Sequence, residues 1–248
     1  MSLTVHQFPC LSDNYGFLIR DDATGLAACI DTPDAGAILR ELEKLGWKLA
    51  FILNTHWHPD HAGGNAQVKA ATGATVIGPA EVEKIAAPDR VVVEGDVVML
   101  GETRLDVIDT GGHTLGHITY HDAADHIAFV GDTLFALGCG RLFEGTPKQM
   151  WGSLQKLAAL PDDTTVYCAH EYTASNARFA LSIDRAPALK ARADEVFAAR
   201  ERGEPTVPTT IGLEKATNPF LRAPLLEPGL ADHEAFGKVR AAKDVFKG

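Results

Sequence analysis

Short apolar segments alternate with amphipathic segments along the first two thirds of the chain. Apolar runs that predict β-strands lie at 15–19, 27–30 and 49–53. The run at 49–53 is apolar without alternation, which is typical of a strand buried on both faces. Before it, Asp34 is suited to cap a helix that continues to Leu45 and ends at Gly46. The pattern predicts a layered α/β arrangement.

The same alternation continues to about residue 170, after which the character of the chain changes. Further predicted strands lie at 75–77, 90–93, 97–100, 104–108, 118–120, 127–130 and 165–168, and further predicted helices at 66–72 and 148–159. Beyond residue 171 the chain is rich in alanine and mostly helical, with predicted helices at 188–202 and 236–246. We therefore predict a four-layer α/β domain over residues 1–170 and a small helical domain over residues 171–248.

The composition is that of an ordinary globular protein, with 248 residues of which 46% are hydrophobic. No apolar run is long enough to span a membrane, and residues 1–6 lack the features of a signal peptide, so we expect a cytoplasmic protein. Four scattered cysteines without a CxxC pair fit reduced thiols. The net charge of −10 argues against nucleic-acid and anionic-membrane partners, so an anionic ligand would need a local cationic patch.

The strongest chemical signal directly follows the apolar run at 49–53. Within six residues stand His56, His58, Asp60 and His61. Imidazole and carboxylate are ligands that suit zinc, iron or manganese. One ion rarely accepts four donors from so short a segment, so two neighbouring ions are expected. The alternative is a solvated histidine-rich loop, which Pro59 and the preceding apolar strand disfavour.

Three further candidate ligands each follow the end of a predicted strand. They are His113 after a Gly-Gly pair, Asp132 after a glycine, and His170 shortly after Cys168. Taken alone, each of them is more often a helix cap or an ordinary hydrogen-bonded polar group. Together with the histidine segment, they would complete two metal sites.

Several segments resemble known families. Those at 55–61, 112–117, 131–135 and 170–173 resemble the metallo-β-lactamase superfamily, and those at 138–141, 204–208, 218–220 and 240–244 resemble glyoxalase II, the hydroxyacylglutathione hydrolases. The resemblance covers nearly the whole chain. It implies a four-layer αββα sandwich with a small C-terminal helical domain.

The resemblance also implies how the ligands are divided. One ion is held by His56, His58 and His113, the other by Asp60, His61 and His170, and Asp132 bridges the two. Zinc is favoured, with iron or manganese as alternatives, and Asp60 and Asp132 are the expected catalytic residues. The implied reaction is the hydrolysis of S-D-lactoylglutathione to glutathione and D-lactate by metal-bound hydroxide, the second step of methylglyoxal detoxification.

Substrate recognition is implied for the second part of the chain. Arg240 and Lys243, one helical turn apart, would meet the glycine carboxylate of glutathione. Arg141 and Tyr172 would contact its peptide part. Phe143 stands where the family often has tyrosine, so it offers no hydroxyl group.

Other functions remain open at this point. A persulfide dioxygenase with a single iron, a lactonase and a β-lactamase share the implied fold, although the Arg240/Lys243 pair weighs against the dioxygenase. A metal-stabilised binding module without catalysis is the non-enzyme alternative. Open ligand positions disfavour it, because structural zinc sites are normally closed. Nothing in the sequence indicates an obligate partner, so we expect a monomer.

Overall fold

The computed structural model describes residues 3–248. Met1 and Ser2, part of the segment from which no signal peptide is predicted, lie outside the described residues. The chain forms two compact units: the first comprises residues 1–109 and 116–131, and the second comprises residues 110–115 and 132–248. The predicted domain boundary at residue 170 stays a prediction.

The first unit contains a six-stranded sheet. Its strands are β1 (Leu3–Cys10), β2 (Asn14–Asp21), β3 (Ala27–Ile30), β4 (Leu49–Leu53), β5 (Thr75–Gly78) and β6 (Arg90–Val91), in chain order across the sheet. Strands β1 to β3 pair antiparallel, and β3 to β6 pair parallel. Because β3 and β4 are parallel neighbours, the residues that follow their carboxyl ends, Asp31 and Thr55, meet at one edge of the sheet.

Helices cover the outer face of this sheet. They are α1 (Ala35–Leu45), the short α2 (Pro59–Ala62) and α3 (Asn65–Thr72), followed by a 3-10 helix at Ala80–Lys84. Helix α1 is capped as predicted, since the Asp34 carboxylate accepts a bond from the Ala37 amide and Gly46 ends it at φ +65°. Ile38 and Val68 of these helices join Ile52 of β4 in one buried cluster. Burial of this apolar face is what fixes the helices to the sheet.

A second sheet of the first unit faces the first. Its strands β7 (Val97–Leu100), β8 (Thr103–Asp109), β9 (Ile118–Asp122) and β10 (Ile127–Gly131) pair antiparallel in that order. Phe17 of β2 and Phe129 of β10 pack at 5.9 Å between ring centroids. Fully buried Tyr120 donates its hydroxyl to the carbonyl of Asn54 at 3.1 Å. These contacts hold the two sheets face to face.

The second unit is mainly helical. Its elements are β11 (Leu134–Phe135), β12 (Gly138–Cys139), α4 (Pro147–Ala158), β13 (Thr165–Cys168), α5 (Thr173–Ile183), α6 (Pro187–Glu201), β14 (Thr209–Thr210), α7 (Ile211–Thr217), α8 (Ala223–Leu226) and α9 (Asp232–Val245). Strands β11 and β12 form a hairpin, and β13 pairs antiparallel with β14. Buried Phe179, Phe220 and Phe236 form the aromatic core that joins α5, the segment before α8, and α9.

The structure agrees with most of the predicted elements and adds several. Strand β1 was not predicted, because His6 and Gln7 interrupt its alternation and Pro9 is unusual in a strand. All four cysteines are free and buried, as expected of reduced thiols. Within residues 3–248, no helix combines the length and the apolarity that crossing a membrane requires.

Candidate metal centre

The histidine segment of the first unit is a fixed loop. Its entrance is anchored by Asp31, whose carboxylate accepts bonds from the amide and hydroxyl of Thr55, both at 2.7 Å. Its exit is anchored by Asn54, which donates to the carbonyl of His61 at 3.1 Å. Pro59 stands at the first position of α2, where its missing amide hydrogen costs nothing. These buried bonds argue against a solvated histidine-rich loop.

The loop places its candidate ligands close together, and we call His56, His58, Asp60 and His61 the loop half-site. His56 and His61 are buried with ring centroids 4.0 Å apart. Nε2 of His56 lies 3.1 Å from Nδ1 of His58, and Nε2 of His61 lies 3.6 Å from the carboxylate of Asp60. Such crowding of imidazole nitrogens and carboxylate oxygens is the donor set that a divalent cation requires.

Two side chains that the sequence did not reveal support these ligands. Asp31 accepts a bond from Nδ1 of His61 at 2.8 Å, which leaves Nε2 of that ring as the ligand atom. Asn14 donates to the carboxylate of Asp60 at 3.1 Å. Asp31, His56 and His61 also have ligand atoms within 4.8 Å of one another, but the Asp31 oxygens already accept the bonds from Thr55 and His61. Asp31 is therefore a support rather than a ligand.

His117 lies behind the loop half-site. It is fully buried, and its ring stacks on that of His56 with centroids 4.8 Å apart. A side chain at Gly131 would lie 2.6 Å from Nε2 of His117, and the backbone there has φ +48°. Both the close approach and the left-handed conformation require glycine.

The second unit holds the other three candidate ligands, which we call the dispersed half-site: His113, Asp132 and His170. All three are buried. One oxygen of Asp132 lies 3.3 Å from Nε2 of His113, and the other lies 3.3 Å from Nε2 of His170. A carboxylate whose two oxygens face different imidazoles has the geometry of a ligand shared between two ions.

Backbone groups fix the orientation of this half-site. Nδ1 of His113 lies 2.9 Å from the carbonyl of Arg141, which can only accept, so Nδ1 carries the hydrogen and Nε2 faces Asp132. Gly140 packs directly on the ligands, since a side chain there would collide with the carbonyl of Asp132. The ring of His170 stacks on Tyr172, with centroids 4.6 Å apart and planes nearly parallel.

The candidate substrate-binding residues differ in exposure. Arg240 is only 5% exposed, with its guanidinium over Phe220 and one N–H group donating to Asp244 at 3.0 Å. The Asp244 oxygen that accepts this bond lies 4.0 Å from Nε of Arg141. Phe143 is 62% exposed, and its ring contacts that of His113. The second unit thus brings two predicted cations, Arg141 and Arg240, to one carboxylate.

Lys243 is half-buried on the same helix as Arg240. Its ammonium group donates to the hydroxyl and the carbonyl of Ser175 at 3.0 and 3.1 Å. Burial, reinforced by nearby guanidinium groups, lowers the pKa of Lys243 to about 8. These guanidinium groups belong to Arg240, Arg141 and Arg178. The ammonium group is cationic at neutral pH. Together with the nearby guanidinium groups, it would favour the binding of an anion.

Comparisons with known proteins give matches over nearly the whole chain. The metallo-β-lactamase superfamily profile matches residues 22–170, and the profile of the hydroxyacylglutathione hydrolase C-terminus matches residues 171–246. A hydroxyacylglutathione hydrolase from Erythrobacter litoralis is 58% identical over 250 residues, which cover 98% of this chain and 100% of that protein.

Solved structures show the same architecture. ETHE1 from Myxococcus xanthus superimposes with a TM-score of 0.72 at 28% identity, covering 96% of this chain and 90% of that chain. TTHA1623 in a di-iron-bound form superimposes with a TM-score of 0.63 at 25% identity, covering 88% of this chain and 100% of that chain.

Proposed function

Because this chain belongs to the metallo-β-lactamase superfamily and, within it, to the hydroxyacylglutathione hydrolases, we propose that it hydrolyses S-D-lactoylglutathione to glutathione and D-lactate. The observation that carries this proposal is the 58% identity to a hydroxyacylglutathione hydrolase over its entire length. The matches also confirm the predicted fold class of sheets flanked by helices with a helical C-terminal region.

We further propose that the loop and dispersed half-sites together form one dinuclear metal centre. One ion is held by His56, His58 and His113, the other by Asp60, His61 and His170, and Asp132 is shared. The opposed oxygens of Asp132 support this division, since each faces the imidazole assigned to a different ion. A structural neighbour that binds two irons also supports it. Zinc is the favoured metal, with iron or manganese as alternatives, because histidine and carboxylate ligands accept all three.

Each component of the proposed metal centre has a role in thioester hydrolysis. Bound divalent ions supply Lewis acidity and lower the pKa of a bound water to about 7. Asp60 and Asp132 are the proposed catalytic carboxylates, since both are proposed to bind the ions. Asp31 holds the hydrogen of His61 on Nδ1, so that Nε2 is the nitrogen left to bind an ion. The leaving thiolate is stable, with a thiol pKa of about 8.5, so no strong general acid is required.

Recognition of glutathione is assigned to the second unit. Arg240 and Lys243 are proposed to meet its glycine carboxylate, and Arg141, Phe143 and Tyr172 its peptide part. The guanidinium groups of Arg240, Arg141 and Arg178 near Lys243 support this assignment, because they concentrate positive charge within a chain of net charge −10. An anionic substrate would be attracted locally despite the overall negative charge. We accordingly propose residues 1–170 as the metal-binding domain and residues 171–248 as the substrate-binding domain.

The remaining proposals concern the state of the protein in the cell. We expect a cytoplasmic monomer whose partner is the small-molecule thioester and which binds neither nucleic acid nor membranes. The net charge of −10 supports the last point, since nucleic acids and anionic membranes would repel it.

A substrate comparison tests the function directly. Purified protein of measured metal content is assayed with S-D-lactoylglutathione, a lactone, a β-lactam and glutathione persulfide. The proposal predicts that the thioester is hydrolysed with a kcat/KM far above that of the other substrates. Oxygen consumption with the persulfide at a similar rate would instead support the dioxygenase alternative.

A further inference from the structure

The β11–β12 hairpin connects metal ligands to the helices of the second unit. It begins two residues after Asp132 and leads directly to Gly140. Side chains of α5 and of the α7 segment form hydrogen bonds with its backbone. Asn176 donates to the carbonyl of Ala136 at 3.1 Å, and Glu214 accepts from the amide of Leu137 at 2.9 Å. Asn218 donates to the carbonyls of Phe135 and Gly138 at 3.2 and 2.9 Å. The first part of the hairpin is thus firmly held.

Arg240 supplies the remaining bond at the end of the hairpin. One of its terminal N–H groups donates to the carbonyl of Cys139 at 2.9 Å. The guanidinium is buried, so this bond is shielded from water. Arginine has five N–H donors, and its buried Nε forms no hydrogen bond within the described residues. The bond to Cys139 uses one terminal nitrogen, and the other terminal nitrogen donates to Asp244.

The residues after Cys139 touch the dispersed half-site. Gly140 packs against the backbone of Asp132, and a side chain there would also approach Nδ1 of His113 to 3.0 Å. The carbonyl of Arg141 then accepts the hydrogen of that same nitrogen. A shift of the backbone at 139–141 would therefore move two metal ligands.

We propose that Arg240 is a positioning residue for the metal ligands His113 and Asp132, acting through the backbone of residues 139–141. This role rests on the proposed dinuclear centre and is additional to the proposed contact of Arg240 with glutathione. Among the described residues, the ammonium group of Lys243 bonds to Ser175 on α5 and not to residues 139–141. Removal of Arg240 and removal of Lys243 are thus expected to have different consequences.

The expected effect is local. Loss of Arg240 removes a buried donor from the carbonyl of Cys139, which loosens residues 139–141. The bonds from Asn176, Asn218 and Glu214 hold the rest of the hairpin, so the variant is expected to fold. Weakening the support of metal ligands typically reduces metal affinity or activity about 10- to 100-fold.

The test compares four variants on helix α9. Arg240→Ala, Arg240→Lys, Lys243→Ala and Lys238→Ala are loaded with zinc, and metal release to a chromogenic chelator is timed without substrate. Values of kcat and KM for S-D-lactoylglutathione are measured on the same samples. Lys238 is an exposed residue that pairs with Glu227, and its variant is the matched control.

Both Arg240 variants are expected to release metal about tenfold faster than the unaltered protein and to lose kcat. Lys243→Ala is expected to raise KM with normal metal release, and Lys238→Ala to change neither. Arg240→Lys keeps a cation, so it retains more substrate affinity than Arg240→Ala. If Arg240→Ala does not fold, Arg240→Lys decides the question by the same measurements.

Normal metal release and normal kcat in a folded Arg240 variant, with only KM raised, would overturn the positioning role. The proposed function fails in a different way. If the unaltered protein does not cleave the thioester, the function is wrong, whereas the metal-release comparison still reports on the role of Arg240.

Discussion

The loop half-site and the dispersed half-site hold their proposed metal ligands in position by different means. In the loop half-site, four proposed ligands stand within six residues, and their supports are side chains, Asp31 and Asn14, from neighbouring strands. In the dispersed half-site, three proposed ligands come from separate loops. Their supports are backbone groups, chiefly the carbonyl of Arg141 and the close contact at Gly140.

This difference has consequences for function. A ligand held by one side chain can be weakened by one substitution, with little effect elsewhere. A ligand held by backbone depends on whatever fixes that backbone, which here includes helices α5, α7 and α9. The dispersed half-site is therefore expected to respond to changes far from the ligands, and the loop half-site only to changes nearby.

The largest effect is expected at Asp132, the one residue proposed to serve both ions. Asp132→Ala should strip or misplace metal and lower kcat on the order of 1,000-fold, since metal ions contribute several kcal/mol to the transition state. Metal content and kcat are measured together, with Asp162→Asn at an exposed position as the control. Near-normal activity with normal metal content would refute the shared role of Asp132.

A smaller effect is expected at the main support of the loop half-site. Asp31→Asn removes the charge that orients His61 while keeping nearly the same shape. Metal affinity should fall about 10- to 100-fold at one of the two ions only. Chelator titration resolves the two ions, and exposed Asp22→Asn is the control. Equal weakening of both ions would contradict the assignment of His61, which Asp31 orients, to one ion only.

A Lys243 variant tests the proposed substrate-binding residues, as distinct from the metal ligands. Lys243→Ala should raise KM about tenfold and leave kcat nearly intact, because the group is proposed to hold a non-reacting end of the substrate. Initial rates over a range of S-D-lactoylglutathione concentrations provide both constants. A large fall in kcat at normal KM would contradict this assignment.

Substitution of Asn14 should lower metal affinity less than substitution of Asp31. It donates one bond to the partly exposed carboxylate of Asp60, so Asn14→Ala should lower the affinity for one ion about three- to tenfold. The chelator titration used for Asp31 measures this effect. A greater loss than that of Asp31→Asn would reverse the assigned order of the two supports.

The smallest expected effect is a dependence of KM on pH. The pKa of Lys243 lies near 8, so its cationic form dominates below pH 8 and is lost as the pH rises through that value. KM for the anionic substrate should therefore rise above pH 8. Lys243→Arg, whose charge persists, should remove that rise. An unchanged rise in Lys243→Arg would assign the titration to another group.

The two half-sites also differ in how far the sequence could reveal them. The loop half-site was visible because its ligands are adjacent in the chain and follow a predicted strand. His113, Asp132 and His170 became meaningful only in combination. Asp31 and Asn14 were missed, because the contact of Asp31 with the loop depends on the parallel pairing of β3 and β4 and that of Asn14 on the fold of the first unit.

Burial of charged groups was likewise not predictable. The spacing of Arg240 and Lys243 indicated two cations on one side of a helix, but not that Arg240 would be 5% exposed and bonded to Cys139. That contact joins residues far apart in the chain and depends on tertiary packing around Phe220. A local pattern contains no information about such a partner.

The most direct test of this account is a titration of metal-free protein with zinc, in which thioester hydrolysis and bound metal are measured at each step. The account predicts that two ions bind per chain and that hydrolysis of S-D-lactoylglutathione reaches its maximum only when both are present. Full activity with a single ion, or with none, would contradict the dinuclear centre assembled from the two half-sites.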